Sequence, residues 1–73
     1  MYKSSHFSFE DFLEEAEHRI KELYGNRTRF GKAIGKHRNT IGKVLNDPKK
    51  LNPYWINVFA GELGLDLRYF VFY

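Results

Sequence analysis

The sequence contains no cysteine, so thiol nucleophiles, disulfide staples and every cysteine-ligated zinc site are excluded. Proline is nearly as scarce, at Pro48 and Pro53 only. No apolar run approaches the roughly 18 residues of a membrane-spanning helix, and no signal-peptide pattern opens the chain. Acidic residues almost vanish between positions 25 and 50, where Asp47 stands against eight Lys and Arg, a local net charge of +7. Catalytic constellations are also missing. His6, His18 and His37 fit no metal-ligand spacing. Glu14, His18 and Glu22 share a helical face, a pattern that usually marks a salt-laced surface. Gly25, Gly31 and Lys32 miss the spacing of a phosphate loop by one residue, and Ala33 stands where Ser or Thr is needed. The chain is therefore not expected to be an enzyme, and neither a cofactor, a metal nor a small-molecule ligand is expected.

What is present is a short chain with many rings. Its 73 residues allow one domain, 1–73, and 18% of them are aromatic. A well-buried Phe contributes about 2–3 kcal/mol, so rings supply the area that a small core otherwise lacks. Charge is sorted by sign: residues 1–24 carry net −3 and residues 51–73 net −1, flanking the +7 block within an overall +3. A local excess of that size is an electrostatic footprint for a polyanion.

Hydrophobic spacing predicts an all-α chain of five short helices. Over 9–24, Phe9, Phe12, Leu13, Ala16, Ile20, Leu23 and Tyr24 recur at helical intervals. Ser8 and Asp11 form a near capping box, Phe7 and Phe12 a hydrophobic staple, and Glu15–Arg19 and Glu17–Lys21 are i, i+4 pairs. Gly25-Asn26 ends this helix. A second helix, about 27–34, is expected to bury Phe30, Ala33 and Ile34, and a third runs from about 37 to 46. Asp47-Pro48 is a stop, Asn52-Pro53 caps a fourth helix reaching about Leu63, and Asp66 caps a last turn or two. The segment 69–73 has mixed signals, β-favouring residues following a helical start.

Residues 27–46 carry the functional pattern. Two helices joined through Gly35 match a helix-turn-helix: Gly31 permits close crossing, Gly35 tolerates left-handed φ, and Phe30, Ile34, Ile41 and Val44 seal the angle. Arg38, Asn39, Gly42, Lys43 and Asn46 share the opposite face of the third helix. Arg can fork onto guanine, Asn onto adenine, and a bare Gly lets the backbone approach a major groove.

The stretch Arg27-Thr-Arg-Phe-Gly-Lys-Ala-Ile-Gly35-Lys-His-Arg-Asn-Thr-Ile-Gly-Lys-Val-Leu-Asn46 resembles the helix-turn-helix of the lambda-repressor-like (Cro/repressor, phage-type) family. The likeness extends through Leu51-Asn-Pro-Tyr54 and Leu63-Gly-Leu-Asp-Leu-Arg-Tyr-Phe70 and covers about residues 9–70. It departs from the family at Gly31, usually Ala, and at Lys36, usually apolar. The resemblance implies a compact five-helix DNA-binding domain with its helix-turn-helix at about 27–46. It also implies base contacts from Arg38, Asn39 and Lys43, and phosphate contacts from Arg27, Thr28, Asn46, Lys49, Lys50 and Asn52. The expected function is a sequence-specific double-stranded DNA-binding transcriptional regulator, a Cro-like repressor in the cytoplasm of a bacterial host or phage-infected cell.

Single domains of this kind read two half-sites, so a homodimer on a double-stranded DNA operator is expected. Leu67, Val71, Phe72 and Tyr73 are its candidate contacts, unless the tail folds back on the first helix. Residues 1–7 are expected to be a flexible arm. The alternative function is a protein-interaction module, an adaptor or antirepressor on the same helical fold, built on the acidic first helix and the aromatic tail.

Overall fold

A computed structural model describes residues 6–72. The architecture is all-helical apart from one short antiparallel pairing. Four α-helices, α1 (Phe9–Tyr24), α2 (Arg27–Ile34), α3 (Arg38–Asn46) and α4 (Pro53–Leu63), are joined by tight connections. Two single turns of 3-10 helix, Pro48–Lys50 and Leu67–Phe70, follow α3 and α4. Two-residue strands, β1 (His6–Phe7) and β2 (Val71–Phe72), pair antiparallel with Phe7 opposite Val71.

Local chemistry explains where each helix starts. Asn26 Oδ1 accepts from Arg29 N at 2.8 Å, and Asn52 Oδ1 from Trp55 N at 3.0 Å with Pro53 at the first helical position. His37 opens the third helix as its N-cap: Nδ1 accepts from Asn39 N at 3.1 Å. Gly25, Gly35 and Gly64 end α1, α2 and α4. Ser8 completes half of the expected capping box, accepting from Asp11 N at 3.4 Å. The other half is replaced, because Ser8 N donates to Phe70 O at 2.7 Å.

That bond accounts for the chain ends. With Phe70 O committed to Ser8 and Val71 paired to Phe7, the last segment cannot extend into a fifth α-helix and remains one 3-10 turn. The expected flexible arm over 1–7 is corrected at its end: β1 pairs with β2, and the Phe7 ring packs on Phe12 at 5.4 Å and Phe70 at 6.1 Å. Residues 1–5 lie outside the described residues, as does Tyr73 of the candidate dimer contacts. Of the others, Leu67 packs against the core, while Val71 and Phe72 form β2. The tail folds back toward α1.

The core is a stack of rings clasped by α1, α2 and α4. Phe12 meets Phe70 edge-on at 5.3 Å and Phe59 at 6.3 Å. Phe59 continues to Phe30 at 6.0 Å and Trp55 at 5.4 Å. Ile20, Ile41, Val44, Leu45, Leu63 and Leu65 close the remaining space. The helical stripes are narrower than their apolar content suggested. Leu23 is 55% exposed and Phe9 42%; Ala33 is exposed and Ile34 half-buried. In α2, Phe30 and Gly31 are buried and Ile34 packs against the core from its edge.

Gly31 permits the tight crossing of α2 by the following chain. A Cβ there would stand 2.3 Å from the Lys36 carbonyl oxygen and 3.1 Å from Ile41 Cδ1. Gly31→Ala is therefore expected to destabilise. Helix propensity favours Ala by about 1 kcal/mol, but overpacking costs about 1–3 kcal/mol and here meets backbone that cannot swing away. A lowered urea midpoint with unchanged slope checks this. Gly35, in the turn, has φ of +74°, the left-handed region that a Cβ disfavours.

Asp66 caps the last turn, accepting from Arg68 N at 3.0 Å, and holds the Arg68 guanidinium with Nη2 at 2.7 Å. The side-chain hydrogen bonds from Arg68, then the backbone one, lower its pKa from 3.8 to about 2. Because the folded-state value is depressed, whatever the contact contributes to stability is present above pH about 4 and lost as pH falls through about 2. An NMR titration of the Asp66 carboxyl should find its midpoint near 2, and Arg68→Ala should move it toward 3.8.

Candidate nucleic-acid interface

α3 divides its residues cleanly. Ile41, Val44 and Leu45 face the core, while Arg38, Asn39, Lys43 and Asn46 are exposed along the opposite side. The intervals between the exposed residues (i, i+1, i+5, i+8) follow the 3.6-residue turn, so burying one stripe presents the other. This exposed stripe borders an open concavity of about 630 Å³, lined by α3 together with Arg27 at the start of α2 and Asp47 and Lys50 in the turn after α3. Arg27, Arg38, Asn39, Lys43, Asn46 and Lys50 thus come together from three elements.

The electrostatics of the groove are one-sided. Among the described residues the ion pairs are His18–Glu22, Glu15–Arg19, Glu17–Arg27 and Asp66–Arg68. Arg38, Lys43 and Lys50 have no carboxylate partner among them. Asp47 is the one acid of the lining, and its Oδ1 already accepts from Lys49 N at 3.0 Å. Charges this exposed gain little from weak surface pairing and attract a polyanion along the whole face.

The remaining sequence-predicted residues are distributed differently. Thr28 lines a second, smaller concavity of about 290 Å³ with Lys32, Lys36, His37 and Arg38, on the far side of Arg38. Arg38 is the ridge between the two hollows. Lys49 is exposed but outside both, as is Asn52, whose side-chain oxygen is engaged at the N-terminus of α4. Lys36 lies 5.2 Å over the half-exposed Tyr54 ring, so its stem covers apolar surface while its ammonium stays near solvent.

Two expectations from spacing alone are overturned. Glu17 pairs with Arg27, ten residues on, and not with Lys21. Gly42 is not bare: it is buried, and a Cβ on it would lie 3.2 Å from Arg27 Nη1. Helix periodicity places Glu17 on a wet face and Gly42 on an outward face. Only the packing of α1 against α2 and α3 brings a guanidinium between them. Glu14, His18 and Glu22 are a surface array, with His18 Nε2 3.3 Å from Glu22, and no group of three potential ligands is placed to hold a metal ion among the described residues. No helix there is long and apolar enough to cross a membrane.

Compared with protein-family models, curated proteins and solved structures, the chain has no significant match.

Proposed function

We propose that this protein is a sequence-specific double-stranded DNA-binding transcriptional regulator of the repressor type, with α2, the Gly35-Lys36-His37 turn and α3 acting as a helix-turn-helix. The observation that carries this reading is the exposed Arg38, Asn39, Lys43 and Asn46 stripe beside a basic groove with one acid in its lining. A nine-residue helix is about 13 Å long and 10–12 Å across, dimensions that the roughly 12 Å wide major groove admits. Arg38, Asn39 and Lys43 contact base edges. Asn46, Lys49, Lys50 and Asn52 meet phosphates on one side of the helix, and Thr28 meets them on the other.

The regulator binds as a homodimer on an inverted repeat; with the tail folded back toward α1, the second copy meets only the surface that Leu67, Tyr69 and Val71 still expose. Leu67 and Val71 keep part of their surface exposed, and Tyr69 beside them is 80% exposed, which leaves apolar area for a second copy.

The test is selection from a randomised duplex pool at about 150 mM salt, where phosphate attraction alone is suppressed. An enriched inverted motif is the expected result. Failure to enrich any motif, with helical content intact by circular dichroism, overturns the reading in favour of a protein-interaction module. Within the same assay, Lys49→Ala should weaken all duplexes alike and flatten the log–log salt slope by about 0.9.

A further inference from the structure

Arg27 is the only cation of the groove that has an acidic partner among the described residues. Its Nη2 donates to Glu17 Oε1, which α1 brings across ten residues of sequence. The opposite nitrogen, Nη1, lies over α3 at Gly42, where a Cβ would come within 3.2 Å. A carboxylate on α1 therefore holds a guanidinium that lines the groove and lies against α3 at Gly42. A further observation points the same way. Glu10, Glu14 and Glu17 share an adjoining hollow with Asn46 and Pro48, so a phosphate nearing Arg27 from the α1 side meets three carboxylates.

We infer that Glu17 is a specificity-determining residue, which withholds Arg27 from DNA phosphates and so leaves discrimination to the base-reading stripe of α3. This rests on the DNA-binding reading above. An arginine loose at the start of α2 would meet phosphate on any duplex, adding affinity that carries no sequence information. Paired with Glu17, it contributes no net charge to that term. The pair also ties α1 to the start of α2, and the guanidinium lies where a side chain at position 42 would reach.

The test compares wild type with Glu17→Gln on a selected duplex and a scrambled one, from 50 to 200 mM salt by fluorescence anisotropy. Glu17→Gln is expected to bind the scrambled duplex several-fold more tightly, to steepen its salt slope by about 0.9, and to narrow the ratio between the two duplexes. The double variant Glu17→Gln/Arg27→Gln should return the slope to the wild-type value. An unchanged or flatter slope in Glu17→Gln, or a gain that survives in the double variant, overturns the inference. A wild type that binds neither duplex overturns the DNA-binding reading itself. A measurement without substitution stands beside these: the Arg27 guanidinium NMR signals of wild type should stay in place when scrambled duplex is added. Their displacement would overturn the assignment even if Glu17→Gln did not fold.

Discussion

Phe12→Ala is expected to remove about 3–5 kcal/mol of stability. Phe12 is fully buried and its ring touches those of Phe7, Phe59 and Phe70, so it joins α1 to α4 and to both chain ends. Nothing nearby can fill the space: the neighbouring rings are stiff and already held by one another. A domain of 73 residues has only about 4–11 kcal/mol in total. Truncation should therefore lower the melting temperature by roughly 15–30 °C, followed by circular dichroism. Phe9→Ala, at a partly exposed ring on the same helix, is the matched control and should cost well under half as much. Equal effects from the two would mean that the ring stack is not what holds the fold.

Arg38→Ala is expected to cost about 1–3 kcal/mol on the preferred duplex, roughly 5- to 150-fold in affinity. The residue stands first on α3, is exposed, and walls both concavities. The loss should be larger on the selected duplex than on a scrambled one, and preference should relax at one base pair. Arg38→Lys keeps the charge but not the two-pronged donor, so it should recover the scrambled-duplex affinity and not the discrimination. A uniform loss on both duplexes would make Arg38 a phosphate contact and move the reading face elsewhere.

Much of this architecture was legible in the chain because its signals are local. Asn26, Asn52 and Asp66 each cap a backbone N–H two or three residues away. Gly35 ends α2 where its left-handed φ is required. The candidate stripe was legible for the same reason, since Arg38, Asn39, Lys43 and Asn46 follow from helix periodicity once Ile41, Val44 and Leu45 are turned inward. Ala33 shows the limit. Its spacing fits a buried face, yet it is exposed while Phe30 and Ile34 make the contact with the core, and its methyl group offers little area to compel burial.

The sequence by itself determined the spans of four α-helices among the five that its spacing predicted, the caps at Ser8, Asn52 and Asp66, and the placement of positive charge on the middle third of the chain. These depend on contacts within about four residues, or on composition alone. The tertiary structure alone decided three other things: that Glu17 reaches Arg27 and not Lys21, that Gly42 is covered by that guanidinium, and that Ser8 and Phe7 tie down Phe70 and Val71. Each joins residues that no helical period relates. A carboxylate pairs with whichever cation packing brings nearest, and that choice is made only once α1 lies across α2 and α3.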